Sequence, residues 1–410
     1  MKDELTRPPY ARMAAENHTQ YYCAMARGSS GEIMRRRGCL WTYDDEDGEG
    51  MVLFPQLGGA AADDEVLDEL IEWYCERNCR SLIGCWSLDP PAPKDLGVGL
   101  LARGFQPGWR PRWMGRKLDD LTDLPSPPDD VQIREARSGK AHAARPHPQC
   151  RRFEAVRNGE VIGHSSVFLS TGEYAAAGIY DVHVLPAERN RGVGKAVTAA
   201  AMIKGRSMGA RFAVLNATGP RMYEQLGLTG DGFGRTWWLN VPRLRADRPS
   251  RERIALAEAV GRGDTKLLES RFAESLDALA TPMTCGLSLL ELAAHEGQPE
   301  AAKWLLEHGA RPDIISMWDL GLRREAAELL AKQPTAARWR AGELGATPLH
   351  IAAERNDVEL ARLLLSADPD LTFEDPAFGS TPEGWARHFK RRKILGMIRA
   401  HARSANLKTA

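Results

Sequence analysis

The 410-residue sequence lacks an excess of charge of either sign. Lysine and arginine together number 55, and aspartate and glutamate together also number 55, so the formal net charge is zero. Proteins that bind nucleic acids or anionic membranes rely on clusters of positive charge. We therefore expect neither a nucleic acid nor a membrane among the partners of this chain.

Cysteine is scarce, and long hydrophobic runs are missing. The seven cysteines are an odd number scattered along the chain, which argues against a disulfide scaffold and favours a reducing, cytoplasmic compartment. Cys75 and Cys79 are four residues apart, but no second pair with metal-ligand spacing follows them, so we expect no metal site. No run approaches the roughly 18 apolar residues of a membrane-spanning helix, and the N-terminus carries no apolar signal-peptide core.

The composition is that of a soluble globular protein with several domains. Hydrophobic residues make up 43% and charged residues 27% of the chain. The length predicts two or three domains. Segments rich in proline with aspartate or arginine, at 119–130 and 241–252, predict linkers. We therefore predict three domains at 1–120, 125–245 and 253–405.

The region 253–405 repeats itself with a period near 33 residues. Thr347-Pro348 recurs as Thr381-Pro382, and the strongest unit reads Gly-Ala-Thr-Pro-Leu-His-Ile-Ala-Ala from position 345. This period with paired short helices resembles the ankyrin repeat, which implies an all-α solenoid of about five units that binds a protein partner. We expect Thr347 and His350 to serve the repeat structure rather than chemistry.

The segment 179–227 holds the pattern that indicates chemistry. Residues 179–185 predict a strand that ends at Pro186. A loop, Arg-Asn-Arg-Gly-Val-Gly-Lys at 189–195, then opens into a strongly helix-forming stretch. Glycines let a ligand approach the backbone, and the N–H groups at a helix start attract anions. The loop therefore predicts a phosphate-binding site, with a spacing that is neither a Walker loop nor a dinucleotide fingerprint.

The residues after this loop complete a recognisable order. Residues 212–216 predict a strand, 217–228 predict a short helix ending at a glycine, and 237–239 predict a last strand. The R-x-x-G-x-G loop at 189–194, the V-x-V-x-P strand at 182–186, and Asn216 followed seven residues later by Tyr223 occur together. This set resembles the GNAT superfamily of acetyl-CoA-dependent N-acetyltransferases over about residues 130–245.

The resemblance implies an α/β (α+β) GNAT fold with acetyl-CoA as co-substrate and no metal. In that family the loop holds the CoA pyrophosphate, and the strand before it splays at a bulge to hold the pantetheine arm. A backbone N–H near Val182–His183 would stabilise the oxyanion. The residues that the resemblance assigns to acetyl-CoA are Val182, His183, Val184, Arg189, Asn190, Arg191, Gly192, Val193, Gly194 and Lys195.

The resemblance also assigns catalytic roles. The CoA thiolate must be protonated as it leaves, and Tyr223 lies where family members place the tyrosine that acts as general acid. The alternative is that Tyr223 only packs its helix. With Tyr223 we group Asn216 and Asp181 as candidate catalytic residues.

The general base departs from the family pattern. An amine acceptor with a pKa of about 10 must lose a proton before it attacks the thioester. The positions where many members carry a carboxylate fall on or near Gly178 and Arg211, and neither can serve. Asp181, His183 and Glu173 are nearby, and a water relay or a neutral substrate is equally open. No cysteine lies between Cys150 and Cys285, so we expect direct transfer.

Residues 1–120 repeat the same order without the motif. Val52-Leu53-Phe54-Pro55 resembles residues 183–186, and Leu100 stands where Tyr223 stands. Since no R-x-x-G-x-G loop follows, we interpret this region as a degenerate GNAT-like half in a tandem arrangement. The alternative is an unrelated α/β extension.

The sequence thus predicts an acetyl-CoA-dependent N-acyltransferase with one active site within residues 125–245. The acceptor would be an amine of a small molecule or of a protein. The ankyrin array would recruit a protein partner, cap the substrate cleft or mediate assembly. The alternative is a non-catalytic scaffold that binds CoA or binds protein through its ankyrin repeats.

Overall fold

The computed structural model describes residues 8–57, 60–91, 93–136, 147–274, 276–340 and 345–409. The chain forms two compact units, Met1–Arg248 and Pro249–Ala410. The first unit is built from strands and helices, and the second is helical. The predicted division into an α/β part and an all-α part is therefore confirmed.

The first unit contains two halves that share an order of antiparallel strands, a helix, a strand, a short helix and a closing strand, although a long helix precedes this order in the first half. The first half comprises α1 (Tyr10–Gly28), β1 (Glu32–Arg36), β2 (Cys39–Asp44), β3 (Glu49–Leu53), α2 (Ala60–Cys75), β4 (Ile83–Asp89), α3 (Leu96–Ala102), β5 (Phe105–Pro107) and β6 (Arg112–Lys117). The second half comprises β7 (Gln132–Glu135), β8 (Cys150–Arg157), β9 (Glu160–Leu169), β10 (Ala176–Val184), α4 (Val193–Ser207), β11 (Phe212–Ala217), α5 (Arg221–Glu224) and β12 (Thr229–Leu239).

One sheet runs through both halves. Its strand order is β1-β2-β3-β4-β12-β6-β11-β10-β9-β8-β7, with β5 paired to β12. Each half has one parallel pair, β3 with β4 and β10 with β11, flanked by antiparallel strands. The last strands are exchanged, because β6 pairs with β11 of the second half and β12 pairs with β4 of the first. The predicted parts 1–120 and 125–245 therefore complete each other's sheet.

Helices α1 and α4 cover opposite faces of the sheet. Successive residues of β10 point to opposite faces, as in any strand. Ala176 packs in one cluster with α1, whereas Ala177 and Ile179 pack in another with α4. A Cβ at Gly205 of α4 would overlap the Cβ of Ala177. The small residues on α4 therefore let the helix lie close to the sheet.

The predicted linker at 241–252 is helical at its start. Helix α6 (Val241–Ala246) begins after Asn240, whose side-chain oxygen accepts from the backbone N–H of Arg243 at 3.0 Å. The Arg245 guanidinium donates to the backbone carbonyls of Cys75, at 2.9 Å from Nε, and Arg77. These contacts tie the segment to the end of α2, so it is not an irregular connector.

The second unit is a stack of short helix pairs. The pairs in the described part are α7 (Arg251–Arg262) with α8 (Thr265–Phe272), α10 (Leu289–His295) with α11 (Pro299–Glu307), α12 (Ile314–Asp319) with α13 (Arg323–Lys332), α14 (Pro348–Arg355) with α15 (Val358–Ser366), and α16 (Pro382–His388) with α17 (Arg392–Thr409). Helix α9 (Leu276–Ala280) lies between the first two pairs.

His350 is a structural residue of this stack. Its Nδ1 lies 3.2 Å from the Thr347 backbone N–H and 2.8 Å from the Thr347 hydroxyl, and its Nε2 lies 2.9 Å from the carbonyl oxygen of Ser380. The side chain therefore caps α14 and reaches the following turn, as we expect from the repeat pattern.

The seven cysteines are free thiols. Within the described ranges no cluster of three or more histidine, cysteine, aspartate or glutamate side chains is arranged to hold a metal ion. In the same part of the chain, no helix has both the length and the apolar character needed to cross a membrane.

Candidate active site

Strands β10 and β11 diverge in the second half. They pair at Ala176–Phe212, Ala177–Ala213 and Gly178–Val214, and no pair follows between these two fully described strands. Strand β10 nevertheless continues to Val184 along β9. One edge of residues 179–184 therefore faces a gap instead of a neighbouring strand, which leaves backbone N–H and C=O groups for a ligand.

A β-bulge interrupts β10 beside this gap. The β9–β10 register shifts between Tyr180 and His183, and Asp181 has a φ of 51°. A bulge bends a strand and re-aims its backbone groups, which is why bulges are common near active sites. The N–H groups near Val182–His183 lie at this bulge. Their role as oxyanion donors stays a prediction.

The glycine loop leads directly into α4. Asn190 and Gly192 adopt left-handed conformations, with φ of 64° and 85°. The first backbone hydrogen bond of α4 runs from the Ala196 N–H to the Gly192 carbonyl at 3.0 Å. The N–H groups of residues 193–195 therefore have no acceptor within the helix, and they lie at the positive end of the helix dipole.

Ion pairs hold the loop in place. Glu188 accepts from Arg157 and lies 3.5 Å from the Arg191 guanidinium. Arg157 also pairs with Asp130 at 2.8 Å. The Arg189 Nε donates to the Val184 carbonyl at 3.3 Å. The loop is thus fastened through Glu188, while the cations of Arg189 and Arg191 stay exposed to solvent.

Gly194 marks a close approach between three elements. A Cβ at this position would lie 2.8 Å from the Met222 Sδ of α5 and 3.5 Å from Cγ2 of Val184. A side chain at residue 194 would therefore have to displace the side chain of Met222, at the place where α4 and α5 border the gap.

Tyr223 lies on α5 and is half-buried against the core beneath α4. Burial raises the pKa of its phenol, so the hydroxyl stays protonated at neutral pH and can donate a proton. Strand β6 of the first half holds this helix in place. Arg112 pairs with Glu224 at 2.9 Å, and Arg116 donates to the Leu226 carbonyl.

Asn216 lies on β11 opposite Trp113 of β6, beyond the point where β10 and β11 diverge. It is half-buried. The structure thus places Asn216 and Tyr223 on consecutive elements at the β11 side of the gap. Their catalytic roles stay predictions.

A side chain of helix α1 occupies the space beside Gly178, the position at which many members of the family carry a carboxylate. A Cβ at Gly178 would overlap the Oδ1 of Asn17. The fully buried Asn17 amide donates to the carbonyls of Phe168, at 3.1 Å, and Ala176, at 2.7 Å, and its oxygen accepts from the Tyr180 hydroxyl at 2.6 Å. The second position, Arg211, is exposed. Neither position carries a base, as the sequence indicates.

Asp181 belongs to a polar cluster on the face that α1 covers elsewhere. Its carboxylate accepts from Arg152 at 2.7 Å and lies 3.2 Å from Nε2 of His164. The ring of His164 stacks on that of His183, with centroids 5.3 Å apart. Burial lowers the pKa of His164, so its ring is neutral at pH 7. Both contacts are made by Oδ2 of Asp181. The catalytic role of Asp181 stays a prediction.

Comparison with known families agrees with this geometry. Residues 118–228 match the acetyltransferase (GNAT) family, and residues 285–316 and 344–373 match the ankyrin repeat. The chain contains a GNAT acetyltransferase domain and ankyrin repeats. This combination supports acyl transfer and protein interaction as its general activities. No curated protein matches the chain.

Several solved structures are similar to this chain over rather more than half of its length. A GCN5-related N-acetyltransferase from Kribbella flavida is 17% identical, with 56% of this chain and 95% of that chain covered and a TM-score of 0.44. A tandem GNAT protein from the clavulanic acid biosynthesis pathway is 12% identical, with 56% and 95% covered and a TM-score of 0.38. A GCN5-related N-acetyltransferase from Sphaerobacter thermophilus is 16% identical, with 54% and 77% covered and a TM-score of 0.37.

The GNAT-like first half has no corresponding gap. Strand β3 pairs with β4 up to Leu53 and Trp86, and the Phe54 N–H then donates to the Trp86 carbonyl at 2.8 Å. Leu100, at the position that corresponds to Tyr223, is fully buried in α3. The strands of this half therefore stay closed where those of the GNAT domain open.

Three residues of the site were missed from the sequence. Asn17 lies about 160 positions from its contacts and carries no local signal. Arg152 and Glu154 alternate with Phe153 and Ala155 on β8, and His164 and Ser166 are two residues apart on β9. Their alternation predicts a shared polar face, but only the strand register shows that this face adjoins the bulge.

Proposed function

We propose that the chain is an acetyl-CoA-dependent N-acetyltransferase whose single active site is the gap between β10 and β11. The proposal rests on one observation: the gap, the bulge at Asp181 and the N-terminus of α4 lie next to one another. A gap with free backbone N–H groups suits an extended amide-containing arm, and a helix N-terminus suits a pyrophosphate.

The residues around the gap fit this ligand. The side chains of Val182 and Val184 pack beneath α4 with Val193 and Val197, so the backbone of β10 is what would contact the pantetheine arm. The loop supplies the cations of Arg189, Arg191 and Lys195. Gly194 of α4 lies close to the Met222 side chain of α5, the helix that also carries Tyr223, so the start of α4 and this helix are neighbours.

The chain's residues then have the following roles. The amine attacks the thioester carbonyl as its free base, and the N–H groups near Val182–His183 stabilise the negative oxygen that develops. Tyr223 gives its phenolic proton to the departing thiolate, a role for which its raised pKa keeps it protonated. Transfer is direct, because the GNAT domain has no cysteine after Cys150 to carry the acyl group.

The acceptor is an amine of a small molecule or of a protein, in the cytoplasm, where free thiols persist. The ankyrin repeats bind a protein partner through their repeat surface. A chain truncated after Arg248 distinguishes the roles of the repeats. If it acetylates small amines as well as the full chain does, the repeats are accessory. If it loses activity on an intact protein but keeps it on a peptide, they recruit the substrate.

Calorimetric titration with acetyl-CoA tests the proposal, followed by an assay of free CoA released with a panel of amines. We expect one binding site per chain and amine-dependent release. Gly194→Val should weaken binding because its side chain would displace that of Met222 beside the gap, whereas Gly396→Ala, at an open position of α17, is a control for substitution. No binding at high micromolar acetyl-CoA would refute the proposal. Binding without turnover would favour the scaffold alternative.

A further inference from the structure

At the bulge, the face of the sheet opposite α4 changes from a surface that α1 covers to a polar surface that α1 does not cover. Up to Tyr180 it is covered by α1, where the ring of Tyr21 stacks on that of Tyr180 with centroids 4.1 Å apart. The row beyond this covered region is polar. Its members face one another in register across β7, β8, β9 and β10, and they are Arg134, Glu154, His164 and His183.

His183 is the member of this row closest to the gap. It lies on β10 itself, directly after Val182, and it is exposed to solvent. Its ring rests on that of His164, with an interplanar angle of 23°. Since α4 and the phosphate loop occupy the opposite face, an acceptor that reaches the gap from the free face meets His183.

A contact with Asp181 fixes the position of His164. Its Nε2 lies 3.2 Å from the Asp181 carboxylate, which also accepts from Arg152. A neutral histidine in this contact carries its proton on Nε2 and donates it to the carboxylate. His164 therefore has a fixed ring orientation and supplies a flat surface against which His183 is ordered.

Building on the proposed acetyl transfer, we propose that His183 accepts the proton from the acceptor amine and that His164, held by Asp181, is its positioning residue. One N–H bond of the acceptor ammonium breaks first, and its proton moves to an imidazole nitrogen of His183. The free amine then forms the N–C bond and loses its second proton to solvent, while the thioester C–S bond breaks and the sulfur takes its proton from Tyr223. His183 gives its proton to solvent, and solvent reprotonates the tyrosine.

The surrounding charges are compatible with a transient imidazolium. Asp181 supplies a negative charge beside the histidine pair. His164 is neutral because burial lowers its pKa, so it adds no repulsion. Arg152 opposes the imidazolium, but its guanidinium is bound to Asp181. Among the described residues, the charged and titratable groups in register with the histidine pair or bound to it are Glu154, Arg152 and Asp181. The Arg189 guanidinium binds the carbonyl of the neighbouring Val184.

The test compares full-length wild type, His183→Gln, Asp181→Asn and the control His147→Gln over a range of pH. We expect His183→Gln to lower kcat/KM about 100- to 1,000-fold at pH 7. The deficit should shrink as the pH approaches about 10, where the amine loses its proton unaided. Acetyl-CoA affinity should not change.

Asp181→Asn tests the positioning role. Asparagine tolerates the left-handed conformation of this residue, so the bulge is retained. Loss of the negative charge should move the acid limb of the kcat/KM profile to lower pH, because the imidazolium is less favoured. An unshifted limb would contradict the electrostatic argument.

Three results would overturn the proposal. The first is a His183→Gln enzyme as active as wild type at pH 7. The second is a loss of activity that weakened acetyl-CoA binding accounts for and that alkaline pH does not restore. The third is a wild type that acetylates no amine, in which case the proposed function itself fails before any variant is compared.

Discussion

His18 of α1 makes the stability of the first unit dependent on pH. Its side chain is 3% exposed, and it lies among aromatic rings, with centroids 4.5 Å from Trp86 and 4.8 Å from Tyr22. Its Nε2 has no hydrogen-bond partner in the described part of the chain. Desolvation by burial lowers the pKa of His18 to about 3. The folded protein therefore holds this ring neutral.

The sign and size of the effect follow from this pKa. The unfolded chain binds a proton at His18 below a pKa of about 6.5, whereas the folded protein does so only near 3. Acid therefore favours the unfolded state, and this contribution to stability is lost as the pH falls from about 6.5 towards 3. Between pH 7 and pH 5 the loss amounts to about 2 kcal/mol. For a unit of this size it corresponds to a decrease in Tm of roughly 4–8 °C.

The contribution of His18 to the pH dependence of stability can be measured by thermal and urea denaturation of wild type and His18→Leu at pH 7 and pH 5. Both proteins share every other titrating group, so the difference between their pH dependences isolates His18. We expect wild type to lose about 2 kcal/mol more than the variant on acidification. Equal losses would refute the reasoning. Following the His18 ring by NMR gives a second check, since its proton resonances should show no titration between pH 7 and 5.

Three further predictions follow from the site. Tyr223→Phe should lower kcat about 100-fold while leaving acetyl-CoA affinity nearly unchanged, as measured by steady-state kinetics and calorimetry. Gly178→Ala should destabilise the protein in urea denaturation, because its methyl group would overlap the Asn17 amide; an unchanged midpoint would contradict this packing. Calorimetry should give one acetyl-CoA per chain, since Phe54 closes the first half by its bond to Trp86; a stoichiometry of two would show that this half opens.

The centre of the site could be predicted from the sequence because its parts are close along the chain. The strand before Pro186, the glycine loop and the start of α4 are consecutive, and each is dictated by local residue preferences. The loop favours glycine at 192 for its left-handed conformation, and a side chain at 194 would have to displace that of Met222. Features that depend on such short-range preferences can be predicted from the sequence alone.

The supports of the site could not be predicted in the same way. Gly178 indicates that a carboxylate is absent, but nothing nearby shows that Asn17 fills the space. The pairing of His164 with Asp181 depends on the β9–β10 register, which the bulge shifts. The exchange of β6 and β12 leaves no trace in either strand, because both read as ordinary closing strands of their own halves. Long-range pairing decides all three features.

This exchange gives the first half a role even though its own strands stay closed. The family match begins at residue 118, after β6, and ends at 228, before β12. Yet Arg112 and Arg116 of β6 hold the helix that carries Tyr223, and α1 covers the sheet beside the gap through Asn17. Without the first half, β11 would lose its β6 neighbour and Gly178 would face no amide. The first half is thus a structural part of the proposed site, because its strand β6 and its helix α1 support the elements that border the gap.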